Sequence, residues 1–319
     1  MLEPKMASTQ PSFFIVGAPK CGTTALYSYL REHPGIFMPE AKEPHYFANE
    51  IVGNHRIGFD ARKAGDKEAP ELSEYLEVFE DAEESQIAGE ASVYYLWSEG
   101  AAERIRQFSP KARIIAMLRN PADLIYSMHS QHFWAGWENA SEFEAAWDLQ
   151  KDRAEGKSLP PDCFDPLLLQ YREIGRLGTQ LQRYFNQFDP EQILVIFMED
   201  FHKDTADCYN RCLDFLGLEC DGRTEFPVVN PNKQPRSKFL QRFIAHRLPG
   251  PIQGIRRFLK RTLRIKKTNI LNFIQRFNTR KVRRKPLGEE MRQRLNETFS
   301  EEIDLLEKIT ARDLGHWRS

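Results

Sequence analysis

The stretch GAPKCGTT, Gly17 to Thr24, combines residue types that handle phosphate. Gly17 and Gly22 allow a tight turn and a close backbone approach to a ligand. The N–H groups that open a helix at Thr23 and Thr24 offer partial positive charge to an anion, and both hydroxyls can donate to phosphate oxygens. A Walker loop carries its lysine directly after the second glycine. Here that position is Thr23, and the loop's lysine is Lys20, inside the four-residue gap. A Walker lysine serves β- and γ-phosphates beside Mg²⁺. Lys20 sits instead on the outer curve of a shorter cradle, within reach of the oxygen bridging a 5′-phosphate and the next group. A phosphate–sulfate anhydride fits that position. Its sulfuryl group carries one fewer negative charge than a phosphoryl group, so a lysine can stabilise the leaving oxygen without a metal.

The elements around the loop indicate how it is held. Four apolar runs read as buried strands: Phe13–Val16, Gln86–Ala88, Arg113–Leu118 and Ile193–Met198. ARIIAML and QILVIFM are continuous and β-branched, as strands covered on both faces should be. Helical patterns cover Thr23–Glu32, Ala122–Ser130, Leu167–Phe185, Thr205–Leu216 and Glu289–Ile309. Asn120 is placed as the N-cap of the second, with Pro121 at its first position, and Gly217 closes the fourth. Strands alternating with helices predict an α/β fold, a doubly wound parallel sheet flanked by helices. Its ligands bind at the carboxyl ends of the strands. No internal repeat or clear linker divides the chain, which reads as a single domain over 1–319 with a basic excursion at about 238–286 and a C-terminal helix.

With these motifs in order, the chain resembles the sulfotransferases that use 3′-phosphoadenosine 5′-phosphosulfate (PAPS), of bacterial or glycan type, with a P-loop-NTPase-like fold. GAPKCGTT resembles their 5′-phosphosulfate loop, which implies cofactor contacts from Gly17, Pro19, Lys20, Cys21, Gly22, Thr23 and Thr24. LRNPADLIYSMHSQH, Leu118 to His132, resembles their 3′-phosphate element. That match implies a grip from Arg119 and Ser127. The likeness continues through KEPHYF, GEASVYYL, ILVIFMEDF, NPNKQPRSK and the closing DLGHW, covering nearly the whole chain. It implies that Arg236 and Lys238 close over the 3′-phosphate.

Transfer to a hydroxyl needs a base at that hydroxyl and cations at the sulfuryl oxygens. KEPHYF supplies Lys42, Glu43 and His45, and the resemblance places the base at Glu43, with His45 and Glu90 in reserve. Many glycan-type relatives carry a lysine where this chain has Ala91, which shifts charge compensation onto Lys42 or Lys20. Met198 stands where cytosolic relatives often place a tyrosine near adenine. Trp134, Trp137 and Trp147 fall where relatives shape the acceptor site, and each is equally readable as core packing. The expected acceptor is a hydroxyl-bearing carbohydrate, lipid or other small molecule. Two other readings remain open: a nucleotide-dependent kinase with a degenerate P-loop, and a non-catalytic polyanion-binding relative.

Composition narrows the class further. Apolar residues form 41% and aromatics 12% of the 319 residues, enough for a packed core. No run approaches the ~18 apolar residues of a membrane span, so the expectation is a cytoplasmic protein. Lys238 to Lys285 holds sixteen Lys or Arg and no Asp or Glu, although the net charge is −1. IRRFLKRTLRI within it reads as an amphipathic helix that would contact an anionic membrane or a polyanion, with no specific nucleic acid. The five cysteines contain no C-x-x-C pair. Cys208 and Cys212 read as buried thiols and His129 and His132 as non-ligands, so no metal is expected.

Overall fold

The computed structural model describes residues 10–40, 42–48, 51, 71–161, 163, 165–227, 233–235, 279–281 and 285–318. Its centre is a sheet of five parallel strands: β1 (Phe13–Gly17), β2 (Ile36–Phe37), β3 (Ile87–Ala91), β4 (Arg113–Leu118) and β5 (Ile193–Phe197), in the order β2-β3-β1-β4-β5. Phe13, Phe14, Ile15 and Val16 of β1 and Ile114 to Leu118 of β4 are fully buried. Covering both faces removes roughly 1.5–3 kcal/mol worth of apolar surface per large side chain from water, which explains continuous rather than alternating apolar runs. Gly89 of β3 pairs with Phe13, whose ring lies 2.0 Å from where a glycine Cβ would stand. The ring occupies that space.

The helices follow in chain order. They are α1 (Thr23–Arg31), α2 (Leu72–Glu77), α3 (Ala101–Phe108), α4 (Pro121–Ala135), α5 (Phe143–Asp148), α6 (Gln150–Ala154), α7 (Tyr171–Ile174), α8 (Leu177–Phe185), α9 (Met198–Lys203), α10 (Thr205–Leu216), α11 (Glu289–Thr298) and α12 (Ser300–Thr310). Asn120 caps α4, its Oδ1 accepting from the N–H groups of Ala122 (2.9 Å) and Asp123 (3.4 Å). Gly217 closes α10 with φ 74°. Cys208 and Cys212 are buried free thiols.

Several expectations need correction. The pattern over Leu167–Phe185 is not one helix but a 3₁₀ turn (Pro166–Leu169) followed by α7 and α8. The break falls at Gly175, where the Phe299 ring lies 2.4 Å from a notional Cβ, so the chain yields to that ring. The closing helix over Glu289–Ile309 is also two, α11 and α12, hinged at the same buried Phe299. The third strand runs to Ala91, and Met198 opens α9 instead of ending β5. β2 has two residues, too few for a periodic signal.

The chain forms two compact units. The first contains the sheet and comprises 1–125, 172–229 and 289–319; the second comprises 126–171 and 230–288. In the first, the order reverses around β1: the chain leaves β1 for β2 and β3 on one side, then passes to β4 and β5 on the other. Such a switch point opens a crevice at the carboxyl ends of the strands. In the second, Arg153 grips Glu138 with two bonds, Nη1 to Oε2 at 2.6 Å and Nη2 to Oε1 at 2.7 Å. Both side chains are fully buried, and Tyr171 and the N–H groups of Asn139 and Ala140 also donate to Glu138. Trp147 is buried against Phe143.

Candidate active site

The loop leaves the carboxyl end of β1 at Gly17. A Cβ there would lie 2.7 Å from Thr23 Cγ2 and 3.0 Å from the Met117 carbonyl oxygen, so glycine alone lets the loop fold back on β4. The backbone turns through left-handed φ at Lys20 (71°) and Gly22 (90°). The N–H of Cys21 closes the turn onto the Ala18 carbonyl at 3.3 Å. α1 then opens with no side-chain cap and no acidic residue in its first turn. Its leading N–H groups and positive dipole end are left for an anion. A compact cradle with Lys20 at its bend fits a 5′-phosphosulfate. Cys21 itself is packed inward, and burial pushes its thiol up to about 12 against the pull of Arg119. It contributes backbone, not a nucleophile.

Register brings the remaining residues of the first unit to the same edge. Gly17 pairs with Met117, and Arg119 follows two residues beyond. Its Nη1 donates to the Lys20 carbonyl at 3.4 Å, tying the end of β4 to the loop. On the other side Ile15 pairs with Ala91, and the Ala91 carbonyl accepts from the N–H of Glu43 at 3.1 Å. The KEPH segment therefore sits at the carboxyl end of β3, beside the end of β1.

That segment is held unusually. Glu43 (φ 67°) and His45 (φ 56°) both adopt left-handed backbone conformations without being glycine. Such strain persists only where the surroundings fix it. The N–H of His45 donates to Ser92 Oγ at 3.1 Å, and the N–H of Phe47 donates to the Tyr95 hydroxyl at 3.2 Å. Ser92 in turn donates to Glu90 Oε1 at 2.6 Å, and Tyr75 donates to Glu90 Oε2. GEASVYYL is thus the support on which KEPHYF is mounted. Glu90 is wholly buried within that support, and burial pushes its carboxyl up to about 7, with Ser92, Tyr75 and Tyr95 opposing.

Glu43 is ion-paired to Lys42 and lies 3.5 Å from His45 Nε2. The latter approach is too long for a firm hydrogen bond, and both His45 ring nitrogens lack hydrogen-bond partners. Burial alone would raise the Glu43 carboxyl, but His45 and the Lys42 ammonium outweigh it and hold it at about 2. With 27% of its side chain exposed, Glu43 is an ionised carboxylate open to an incoming group.

Ser127 lies in the second unit, buried on α4. Arg236 and Lys238, with most of the basic excursion, lie outside the described residues. His129 Nε2 donates to the Ala140 carbonyl at 2.9 Å, and His132 is buried against Tyr171 and Trp137. Burial pushes His132 down to about 4. Sequence reading missed the interlock of KEPHYF with GEASVYYL, because hydrogen bonds between distant segments leave no periodicity. It also missed Glu199, whose Oε1 accepts from Trp317 Nε1 at 2.9 Å.

A parallel sheet with a phosphate cradle at its switch point defines a nucleotide-handling α/β class, and comparison with known proteins narrows it. Residues 10–308 match the sulfotransferase domain family, and the chain belongs to it. It is 26% identical to human carbohydrate sulfotransferase 15 over 260 residues, covering 65% of this chain and 44% of that protein. It is 30% identical to mouse bifunctional heparan sulfate N-deacetylase/N-sulfotransferase 1 over 215 residues, covering 65% of this chain and 22% of that protein. The chain therefore spans less than half the length of these curated relatives. The crystal structure of a sulfotransferase from Alicyclobacillus acidocaldarius superposes with a TM-score of 0.70 at 25% identity, covering 97% of this chain and 99% of that one.

Proposed function

We propose that this protein transfers a sulfuryl group from PAPS to a hydroxyl of a carbohydrate or similar small-molecule acceptor. The observation that carries the reading is the joined pair Lys20 and Arg119, on the phosphate loop and at the end of β4, tied by the Arg119–Lys20 carbonyl bond. Family membership over residues 10–308 supports the chemistry, and the carbohydrate and heparan sulfate relatives favour a glycan among acceptors.

When bound, PAPS supplies an activated sulfuryl group on a phosphate leaving group. The loop N–H groups, Thr23 and Thr24 would hold its 5′-phosphate, and Arg119 would read its 3′-phosphate. Lys20 stabilises the oxygen that leaves. Glu43 takes the acceptor proton, being ionised at neutral pH and partly open. A carboxyl near 2 is a weak resting base, so Lys42 has a second use: drawn toward the sulfuryl oxygens, it would leave Glu43 more basic. Lys42 then replaces the cation that Ala91 does not provide. His45 orients Glu43, and Glu90 carries the support rather than the proton.

Isothermal titration tests the reading. The product nucleotide, adenosine 3′,5′-bisphosphate (PAP), should bind in EDTA and more tightly than ATP. Strict Mg²⁺ dependence with a preference for ATP would favour the kinase reading instead.

A further inference from the structure

The segment closing the chain, Leu314 to Arg318, is fastened to the cofactor edge of the sheet in the first unit. Trp317 is buried, 2% exposed, with its ring edge-on to Phe197 at 5.6 Å. Phe197 ends β5 and pairs with Leu118, the residue before Arg119. Arg312 lies over the same Phe197 ring at 4.4 Å and holds Asp200 through both terminal nitrogens. Two polar bonds then reach the ligand edge itself. Asn120 Nδ2 donates to the Trp317 carbonyl at 3.0 Å, while its Oδ1 caps α4. Trp317 Nε1 donates to Glu199, which His316 Nε2 also approaches at 3.3 Å.

Arg119 is thereby fixed on both sides. Before it, Leu118 is laddered to β5; after it, Asn120 is pinned by the Trp317 carbonyl. Glu199 matters for a second reason. Phe197 and Leu118 pair across the ends of β5 and β4, and Glu199 follows the first by two residues as Arg119 follows the second by one, so carboxylate and guanidinium leave the sheet at neighbouring strand ends. A carboxylate left loose there competes with a phosphate for the guanidinium.

We infer that Trp317 and Asn120 form a clasp that positions Arg119 for the 3′-phosphate of the nucleotide, with the indole N–H holding Glu199 away from that guanidinium. Both are positioning residues that act through Arg119. This rests on the PAPS reading. Their signature is selective: a ligand without the 3′-phosphate does not use Arg119 and does not register the clasp.

The test compares PAP with 5′-AMP, which lacks the 3′-phosphate, by titration calorimetry on the full chain. Asn120→Ser keeps an N-cap oxygen but is too short to reach the Trp317 carbonyl. Trp317→Phe keeps a ring and loses the indole donor. Each should weaken PAP about three- to tenfold, the usual worth of one hydrogen bond, and leave AMP unchanged. In an Arg119→Ala background neither should have further effect. Adding Glu199→Gln to Trp317→Phe should restore most of the PAP affinity. Equal losses for both nucleotides, no loss, or losses that persist without Arg119 would overturn the clasp. Near-ultraviolet circular dichroism confirms equal folded fractions. The wild-type arm separates the underlying reading: a wild-type protein that does not prefer PAP over AMP refutes the PAPS assignment itself, and the clasp with it.

Discussion

Glu43→Gln isolates proton transfer from every other function of the site. Glutamine preserves the size and shape of the side chain, and its backbone demand at φ 67° is the same. What disappears is the charge and the capacity to take a proton. The carboxyl sits at about 2, so at neutral pH the wild-type group is ionised in essentially every molecule. A positioned base contributes about 10²–10⁴-fold to turnover, and the amide forfeits that whole factor. The folding cost is small by comparison. The Lys42 and Glu43 side chains are 15% and 27% exposed, so losing their pairing in a solvent-screened position costs within about 1 kcal/mol. No phosphate contact is assigned to Glu43, so PAP affinity should hold within about twofold. The assay is initial-rate sulfuryl transfer from PAPS at saturating donor, paired with PAP titration. Near-normal turnover would move the base away from Glu43, to His45 first. Loss of PAP binding would make Glu43 structural and refute the mechanism.

Three further outcomes are expected. Arg119→Ala should mainly raise the Michaelis constant for PAPS with turnover largely kept, since a 3′-phosphate contact is made equally in ground and transition states; steady-state kinetics checks the split. Glu90 titrates near 7 when folded against an ordinary value of 4.5, so the folded state holds the extra proton between those values and this group's contribution to stability falls as pH rises from about 4.5 to 7. Glu90→Gln should flatten that slope, roughly 3 kcal/mol in total, in urea titrations across the range, while an unchanged slope would show that Glu90 is not its source. Arg153→Met should strip a fully buried partner from Glu138 and cost about 3–5 kcal/mol, read as a lowered denaturation midpoint; a loss under 1 kcal/mol would mean that the pair does not hold its unit together.

The sheet was legible because its physics is local. A strand buried on both faces must be apolar throughout, and β1 and β4 announce themselves that way, while the edge strand β5 carries the same apolar run half-buried. The loop was legible because Gly17 and Gly22 stand where the backbone has no room for a side chain or must turn through positive φ. Asn120 and Gly217 marked helix ends by their own chemistry. The rest depended on contacts between distant segments. Phe299 breaks two helical patterns at once from over a hundred residues away from Gly175. Glu43 and His45 adopt left-handed conformations without a glycine to signal them, held by Ala91, Ser92 and Tyr95. Glu90 looked like a spare base in the sequence, and its buried bonds to Tyr75 and Ser92 give it a supporting place. Trp317 was only the end of a motif until its carbonyl met Asn120.

The central claim is sulfuryl transfer, and it is tested most directly by following the group itself. The protein is incubated with PAPS labelled in the sulfuryl sulfur, in EDTA, with separate glycan, lipid and small-molecule hydroxyl acceptors, and both products are quantified. The account predicts label in an acceptor, glycan foremost, with one PAP released for each sulfate ester formed and no transfer by Glu43→Gln above about 1% of wild type. Label that stays in PAPS across all acceptors while ATP donates its γ-phosphate to any of them would contradict it.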